Sequence, residues 1–218
     1  MAKIFGSFKS GVRAAFDPMG RALVRAGVSP DAITYVGTAG VVVGGVVFAA
    51  RGQLVLATIV ITLSALLDVL DGAMARARGS ATRYGAFLDS TMDRVADGAV
   101  FGSLTWWLFV DGQHVLAGVT LFCLIGGQVV SYIRARAQSL GFSCDVGIAE
   151  RMERLVLVGI GALLTGFGVS WGLGAIMWLL AGLTLVTAVQ RIVHVRRQDG
   201  PAPATRTEDA TVNEGRGE

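Results

Sequence analysis

Two pairs of acidic residues in one short stretch carry the most specific chemical signal in this chain. Asp68 and Asp71 are three residues apart, and Asp89 and Asp93 are four apart. At either spacing two side chains share one face of a helix. A connector around 77–84 turns the chain back, which makes the two helices antiparallel neighbours and lets all four carboxylates converge. Together they repel one another and are costly to desolvate. Arg76 alone cannot neutralise them, whereas hard divalent cations with oxygen ligands can. Two ions suit four carboxylates, because a single ion leaves an excess of negative charge. Paired ions are also what a phosphoryl-type displacement uses, clamping a pyrophosphate and stabilising charge on the leaving oxygen. One aspartate near a helix end is explained by capping, by an arginine partner or by exposure to water. Four at paired spacings, with Gly72 and Arg76 between them, are not.

The elements that must carry these residues are membrane helices. Of 218 residues, 53% are hydrophobic and only 16% charged, with a mean hydropathy of +0.60. A soluble domain carries more charge, and here the apolar residues come in long blocks rather than stripes. The expected fold class is an all-α integral membrane protein with six transmembrane helices, at 32–50, 54–75, 86–110, 114–137, 153–169 and 171–193, since a bilayer core needs about 20 apolar residues per helix. Residues 1–27 read as an interfacial amphipathic helix, with Ile4, Phe5, Phe8, Val12 and Phe16 set against Lys3, Lys9 and Arg13 and broken by Pro18 and Gly20. A frayed tail is the plainer reading of that segment. The catalytic domain spans 28–197. The polar segment 198–218 reads as a disordered cytoplasmic tail.

Charge placement sets the topology. Arg21, Arg25, Arg76, Arg78, Arg83, Arg134, Arg136, Arg151, Arg154, Arg196 and Arg197 fall on one side, whereas the connectors 51–53, 110–114 and 167–172 hold only Arg51. This asymmetry puts both termini and the aspartates on the cytoplasmic side of the cell membrane. The pI of 9.2 therefore reflects membrane topology and anionic lipid, not a nucleic-acid partner. Cys123 and Cys144 lack metal-type spacing and read as structural. Gly40, Gly44 and Gly45, Gly126 and Gly127, and Gly161 with Gly166 read as close-approach points between helices.

A second cluster is cationic. Ser131 and Arg134 end the fourth span, Arg151 and Arg154 open the fifth, and Arg191 ends the sixth. Guanidinium groups from three helix ends at the level of the aspartates favour a phosphate or phosphomonoester ligand. Singly, each reads as a topological anchor meeting lipid headgroups. A neutral alcohol needs no such cluster.

The pattern Asp-x2-Asp-Gly-x2-Ala-Arg-x8-Gly-x3-Asp-x3-Asp, here Asp68, Asp71, Gly72, Ala75, Arg76, Gly85, Asp89 and Asp93, resembles the signature of the CDP-alcohol phosphotransferases. Every spacing matches, and the six-span layout extends the likeness over most of the chain. The resemblance implies an enzyme that transfers a phosphatidyl group from CDP-diacylglycerol to a small alcohol, releasing CMP, in phospholipid biosynthesis. It implies two Mg2+ (or Mn2+) ions, one held by Asp68, Asp71 and Asp89 and the other by Asp68, Asp89 and Asp93. Asp93 would also be the general base. Gly72 would admit the nucleotide close to the backbone, and Arg76 would meet its phosphate. The segment Asp31, Ala32, Ile33, Thr34 would meet the cytidine, although Asp31 stands where related enzymes often have asparagine. Ser29 or Asp31 as an ordinary helix cap, with Pro30 in the first turn, explains that segment equally well. By the same resemblance Ala75 would belong to the donor site, and Thr82, in the connector with Ser80, would be the preferred loop contact, although a loop hydroxyl facing water is the plainer reading. The resemblance also implies a homodimer and, with the arginines, inositol 1-phosphate (1D-myo-inositol 3-phosphate) as acceptor. Glycerol 3-phosphate is the next candidate. A divalent-cation transporter is the remote alternative, disfavoured because the half of the membrane opposite the carboxylates has few polar groups.

Overall fold

The computed structural model describes residues 16–78, 82–148 and 150–199, without the side chain of Asp68. Most of the expected interfacial helix, the loop hydroxyl of Ser80 and the tail beyond 199 lie outside the described residues.

Every regular element among the described residues is helical. We label the stretch 16–25 α1. There follow α2 (Pro30–Val43), a π turn (Gly44–Phe48) and a 3-10 turn (Ala49–Arg51), then α3 (Leu54–Ala77), α4 (Arg83–Val110), α5 (His114–Ser139), α6 (Arg151–Gly166) and α7 (Gly172–Gln198). Helix α1 runs straight through Pro18 and Gly20, contrary to the expected break. A Cβ on Gly20 would sit 2.9 Å from the Ala73 carbonyl carbon, so this glycine serves close packing on α3 rather than chain reversal.

Direct packing joins α2 to α3, α3 to α6, α6 to α7, α7 to α5, α5 to α4 and α4 back to α2, which closes a ring of six helices. Helices α3 and α4 are thus not the packed neighbours that their short connector suggested, because α2 lies against both. Glycines make this possible. A Cβ on Gly40 would collide with Ser64 Oγ of α3, and one on Gly44 would come 2.7 Å from Ile61 Cγ1. On the other side a Cβ on Gly45 would be 2.8 Å from the Ala99 carbonyl oxygen of α4. Close approach through small residues stands in for the hydrophobic drive that lipid removes.

The core fills the end of the ring near the short connectors. Leu54, Phe101, Leu104, Leu108, Ala117, Ala162, Leu173 and Met177 are buried there. Apart from Arg51 and Asp111 in those connectors, the described arginines and aspartates occupy the opposite end. Apolar side chains also cover the outside of the ring, among them Val36, Leu63, Trp106, Ile125, Trp178 and Leu185, a surface suited to lipid rather than water.

Among the described residues, four segments are long and apolar enough to cross a membrane: Pro30–Arg51, Leu54–Ala77, His114–Ser139 and Gly172–Gln198. Helices α4 and α6 fall short by that measure for identifiable reasons. Between Arg83 and Asp97, α4 carries Arg83, Asp89, Asp93, Arg94 and Asp97, and the 16 residues of α6 reach only about 24 Å.

Candidate active site

Helix α3 carries Asp68 and Asp71 one turn apart, near its charged end. Asp71 is buried, and its Oδ2 accepts a hydrogen bond from the Thr34 hydroxyl of α2. This contact gives Thr34 a partner within the protein besides the cytidine that the resemblance implies for it. Gly72 follows on α3, and a Cβ there would meet only Arg76 Nη1, at 3.6 Å, leaving open space beside the backbone. Arg76 itself pairs with Asp17 of α1 at 3.0 Å, and both are substantially exposed.

Helix α4 starts at Arg83 because Thr82 caps it: the Thr82 hydroxyl accepts from the Gly85 amide at 2.9 Å. Thr82 thus has a structural task alongside the nucleotide contact expected of it. Ser29 occupies the N-cap position of α2 without a side-chain cap bond, and Pro30 takes the first turn. The first turns of α2 and α4 lie side by side. Asp31 Oδ1 would be 3.7 Å from a Cβ on Gly85, and the Tyr35 and Tyr84 hydroxyls are 3.3 Å apart. Ala32 and Ile33 belong to the same turn of α2, while Ala75 lies one turn beyond Asp71 on α3.

Asp89 is exposed, whereas Asp93, one turn further along α4, faces inward. Arg151 Nη1 donates to Asp93 Oδ1 at 2.6 Å, and Arg94 stands 3.5 Å from Oδ2. Asp97 lies one turn deeper. It was absent from the expected site, although Asp89, Asp93 and Asp97 form an unbroken four-residue series. Its Oδ1 accepts from Arg151 Nε at 3.2 Å and its Oδ2 from Arg154 Nη2 at 3.0 Å, with the Asp97 and Arg154 side chains 3% and 5% exposed. Such a buried pair is tolerated because each charge meets its opposite through directional hydrogen bonds.

Asp93, Arg94, Arg151 and Arg154 border a cleft of about 460 Å³, open at the charged end of the ring. Ser131, Arg134, Arg151, Arg154 and Arg191, the five residues of the expected cationic cluster, all line it, and so does Asp93. Their states differ. Arg134 is exposed and paired with Asp145 at 2.7 Å. Arg191 is buried, donating through Nε to the Val146 carbonyl at 2.9 Å and through Nη1 to the Val130 carbonyl at 2.7 Å. Ser131 bonds back to the Gly127 carbonyl within α5. Ser90, Arg94, Gln138 and Glu150 also border the cleft and were not foreseen. Glu150 caps α6 reciprocally with Glu153, whose Oε2 accepts from the Glu150 amide at 2.9 Å. Asp93 further lines a small cavity of about 30 Å³ between α2, α3, α4 and α6, so it stands where the α2–α3 side of the ring meets the cationic cleft.

The acidic set fits hard cations by its chemistry, since it offers only carboxylate oxygens. Among the described residues, no three ligating side chains are close enough to hold one ion as they stand. The side chain of Asp68, the ligand expected to serve both ions, lies outside that set.

Comparison with known proteins agrees with this architecture. The model of the CDP-alcohol phosphatidyltransferase family matches residues 27–194. The chain is 47% identical to the phosphatidylinositol phosphate synthase of Mycobacteroides abscessus over 196 residues, covering 89% of each chain. It is 46% identical to that of Streptomyces avermitilis, covering 91% of this chain and 85% of the relative. The crystal structure of Mycobacterium tuberculosis phosphatidylinositol phosphate synthase with CDP-DAG bound superposes with a TM-score of 0.79 at 43% identity, covering 83% of this chain and 92% of that one. The same enzyme in complex with manganese and citrate gives 0.78 at 43% identity, covering 83% and 88%. A complete acidic signature, a helical ring that opens on a charged cleft, and these likenesses over most of the chain lead to one assignment: the protein belongs to the CDP-alcohol phosphatidyltransferase family.

Proposed function

We propose that this enzyme transfers the phosphatidyl group of CDP-diacylglycerol to an inositol phosphate, giving phosphatidylinositol phosphate and CMP. One observation carries the choice of acceptor: Asp93 shares a cleft with five arginines, counting Arg94. A phosphomonoester matches those donors, and a neutral alcohol leaves them unused. The phosphatidylinositol phosphate synthases among the relatives agree with that chemistry.

In this reading the acceptor's phosphate binds among Arg134, Arg151, Arg154 and Arg191, with Ser131 beside them, and its hydroxyl points toward Asp93. Asp93 takes the hydroxyl proton as the oxygen attacks the phosphorus joined to diacylglycerol. The new O–P bond forms while the P–O bond to CMP breaks, and CMP departs with that electron pair. Two divalent cations, Mg2+ or Mn2+, held by Asp68, Asp71, Asp89 and Asp93, would supply charge neutralisation at the pyrophosphate. Thr34 steadies Asp71 for this task. Asp31, Ala32, Ile33, Gly72, Ala75, Arg76 and Thr82 border the nucleotide side, where Gly72 leaves room for close approach.

The proposed setting is a cell membrane spanned six times, with α4 and α6 added to the four long apolar segments. Charges at the ends of α4 and α6 would sit at the interface, where long side chains reach water. Arginine asymmetry places the site and both termini in the cytoplasm, and two copies pair as a homodimer. The test is CMP release by purified protein given CDP-diacylglycerol, Mg2+ or Mn2+, and either inositol 1-phosphate or glycerol 3-phosphate. Metal-dependent release with the inositol ester supports the proposal. Release with glycerol 3-phosphate alone rejects the acceptor, and no release with either rejects the transfer.

A further inference from the structure

Asp97 lies outside the acidic signature, yet it is among the most buried charges described, at 2% exposure. Nothing in the transfer chemistry uses it. Its two oxygens hold two different arginines of the cleft: Oδ1 takes Arg151 Nε at 3.2 Å and Oδ2 takes Arg154 Nη2 at 3.0 Å. Arg151 also reaches Asp93, at 2.6 Å, so without Asp97 its guanidinium would be drawn further toward the base. Arg154 Nε is buried and has no partner among the described residues, which leaves a donor on a cleft residue with its hydrogen bond still to make.

A second, independent feature points the same way. The guanidinium of Arg154 occupies the place where a Cβ on Gly127 of α5 would stand. Arg154 comes from α6, and α5 and α6 are not direct neighbours in the ring. The arginine therefore crosses the interior, tied on one side to a carboxylate of α4 and resting on the other against a bare backbone of α5. A charged group fixed in this way loses little freedom when it captures an anion.

We propose that Asp97 is the positioning residue of the anion cleft, acting through Arg154 and Arg151, and that Gly127 is kept bare to seat the Arg154 guanidinium. The proposal rests on the acceptor-binding reading of the cleft. Asp97→Asn keeps the shape and removes the charge, and Gly127→Ala keeps every charge and removes the seat. Alanine favours a helix over glycine, so the second variant does not weaken α5 itself.

Steady-state kinetics on the full-length enzyme, varying inositol 1-phosphate and CDP-diacylglycerol separately, tests this. Each variant is expected to raise the acceptor KM about tenfold and to leave the donor KM within about twofold. In an Arg154→Ala background, Gly127→Ala is expected to add nothing, because no guanidinium remains to displace. An unchanged acceptor KM in either single variant overturns the proposal, as does an equal rise in both KM values or a further loss on top of Arg154→Ala. If Asp97→Asn does not fold, Asp97→Glu, which keeps the charge but displaces it, takes its place and is read by the same split between acceptor and donor KM. If Arg154→Ala itself leaves the acceptor KM unchanged, the acceptor reading of the cleft falls, and the proposal with it.

Discussion

Thr34→Val separates two roles that fall on one hydroxyl. The resemblance places Thr34 near the cytidine, while the structure has it donating to Oδ2 of buried Asp71. Valine keeps the branched shape and removes only the donor. A hydrogen bond to a charged group contributes about 1.5–3 kcal/mol net, which corresponds to roughly 10- to 150-fold in an equilibrium. Outer partners of metal ligands show a similar range when lost, about 10- to 100-fold in metal affinity or activity. If Thr34 orients Asp71, the Mn2+ or Mg2+ concentration for half-maximal CMP release should rise by at least tenfold at saturating donor and acceptor. With saturating metal, the KM for CDP-diacylglycerol should stay near the parent value. The opposite split, an unmoved metal dependence with a raised donor KM, would refute the positioning of Asp71 and return Thr34 to the nucleotide.

Other variants probe the remaining parts. Asp93→Asn should abolish turnover while the protein still purifies as a folded membrane species, and measurable full activity would remove Asp93 as the base. Arg154→Ala should raise the acceptor KM well beyond the effect of Arg134→Ala, because Arg154 is buried on Asp97 whereas Arg134 forms an exposed pair with Asp145, and exposed pairs contribute little; equal effects would argue against the buried arm of the cleft. Gly45→Ala forces a Cβ to 2.8 Å from the Ala99 carbonyl oxygen, overpacking that typically costs about 1–3 kcal/mol. A thermal melt in detergent should fall by several degrees, and an unchanged or raised Tm would show that the contact between the π turn and α4 is slack.

Local spacing was enough to find the reacting groups. Asp68 with Asp71, and Asp89 with Asp93, share helix faces because 3.6 residues complete a turn, and that geometry needs no tertiary information. The same arithmetic extends to Asp97, which was legible as the next member of the series and was passed over because the family signature stops at Asp93. The gathering of arginines at one end of the ring was also legible, since hydropathy and charge place helix ends relative to a bilayer. The glycines were readable as points of close approach, and Gly40, Gly44, Gly45 and Gly127 do meet neighbouring helices closely.

Partnership between helices was not legible. A short connector joins α3 to α4, yet α2 packs between them, because the order of helices around a ring depends on which surfaces fit and not on which ends are tied. Nor could sequence separate one arginine from another. Arg134 and Arg154 look alike along the chain, but the reach of Arg154 to Asp97 of α4 and the missing side chain at Gly127 bury the second, while the first stays exposed. Residue types and periods determined the chemistry, the membrane setting and the end of the molecule where the site lies. The tertiary structure decided which charges are paired and dry, because burial is a property of several surfaces closing on one another at once.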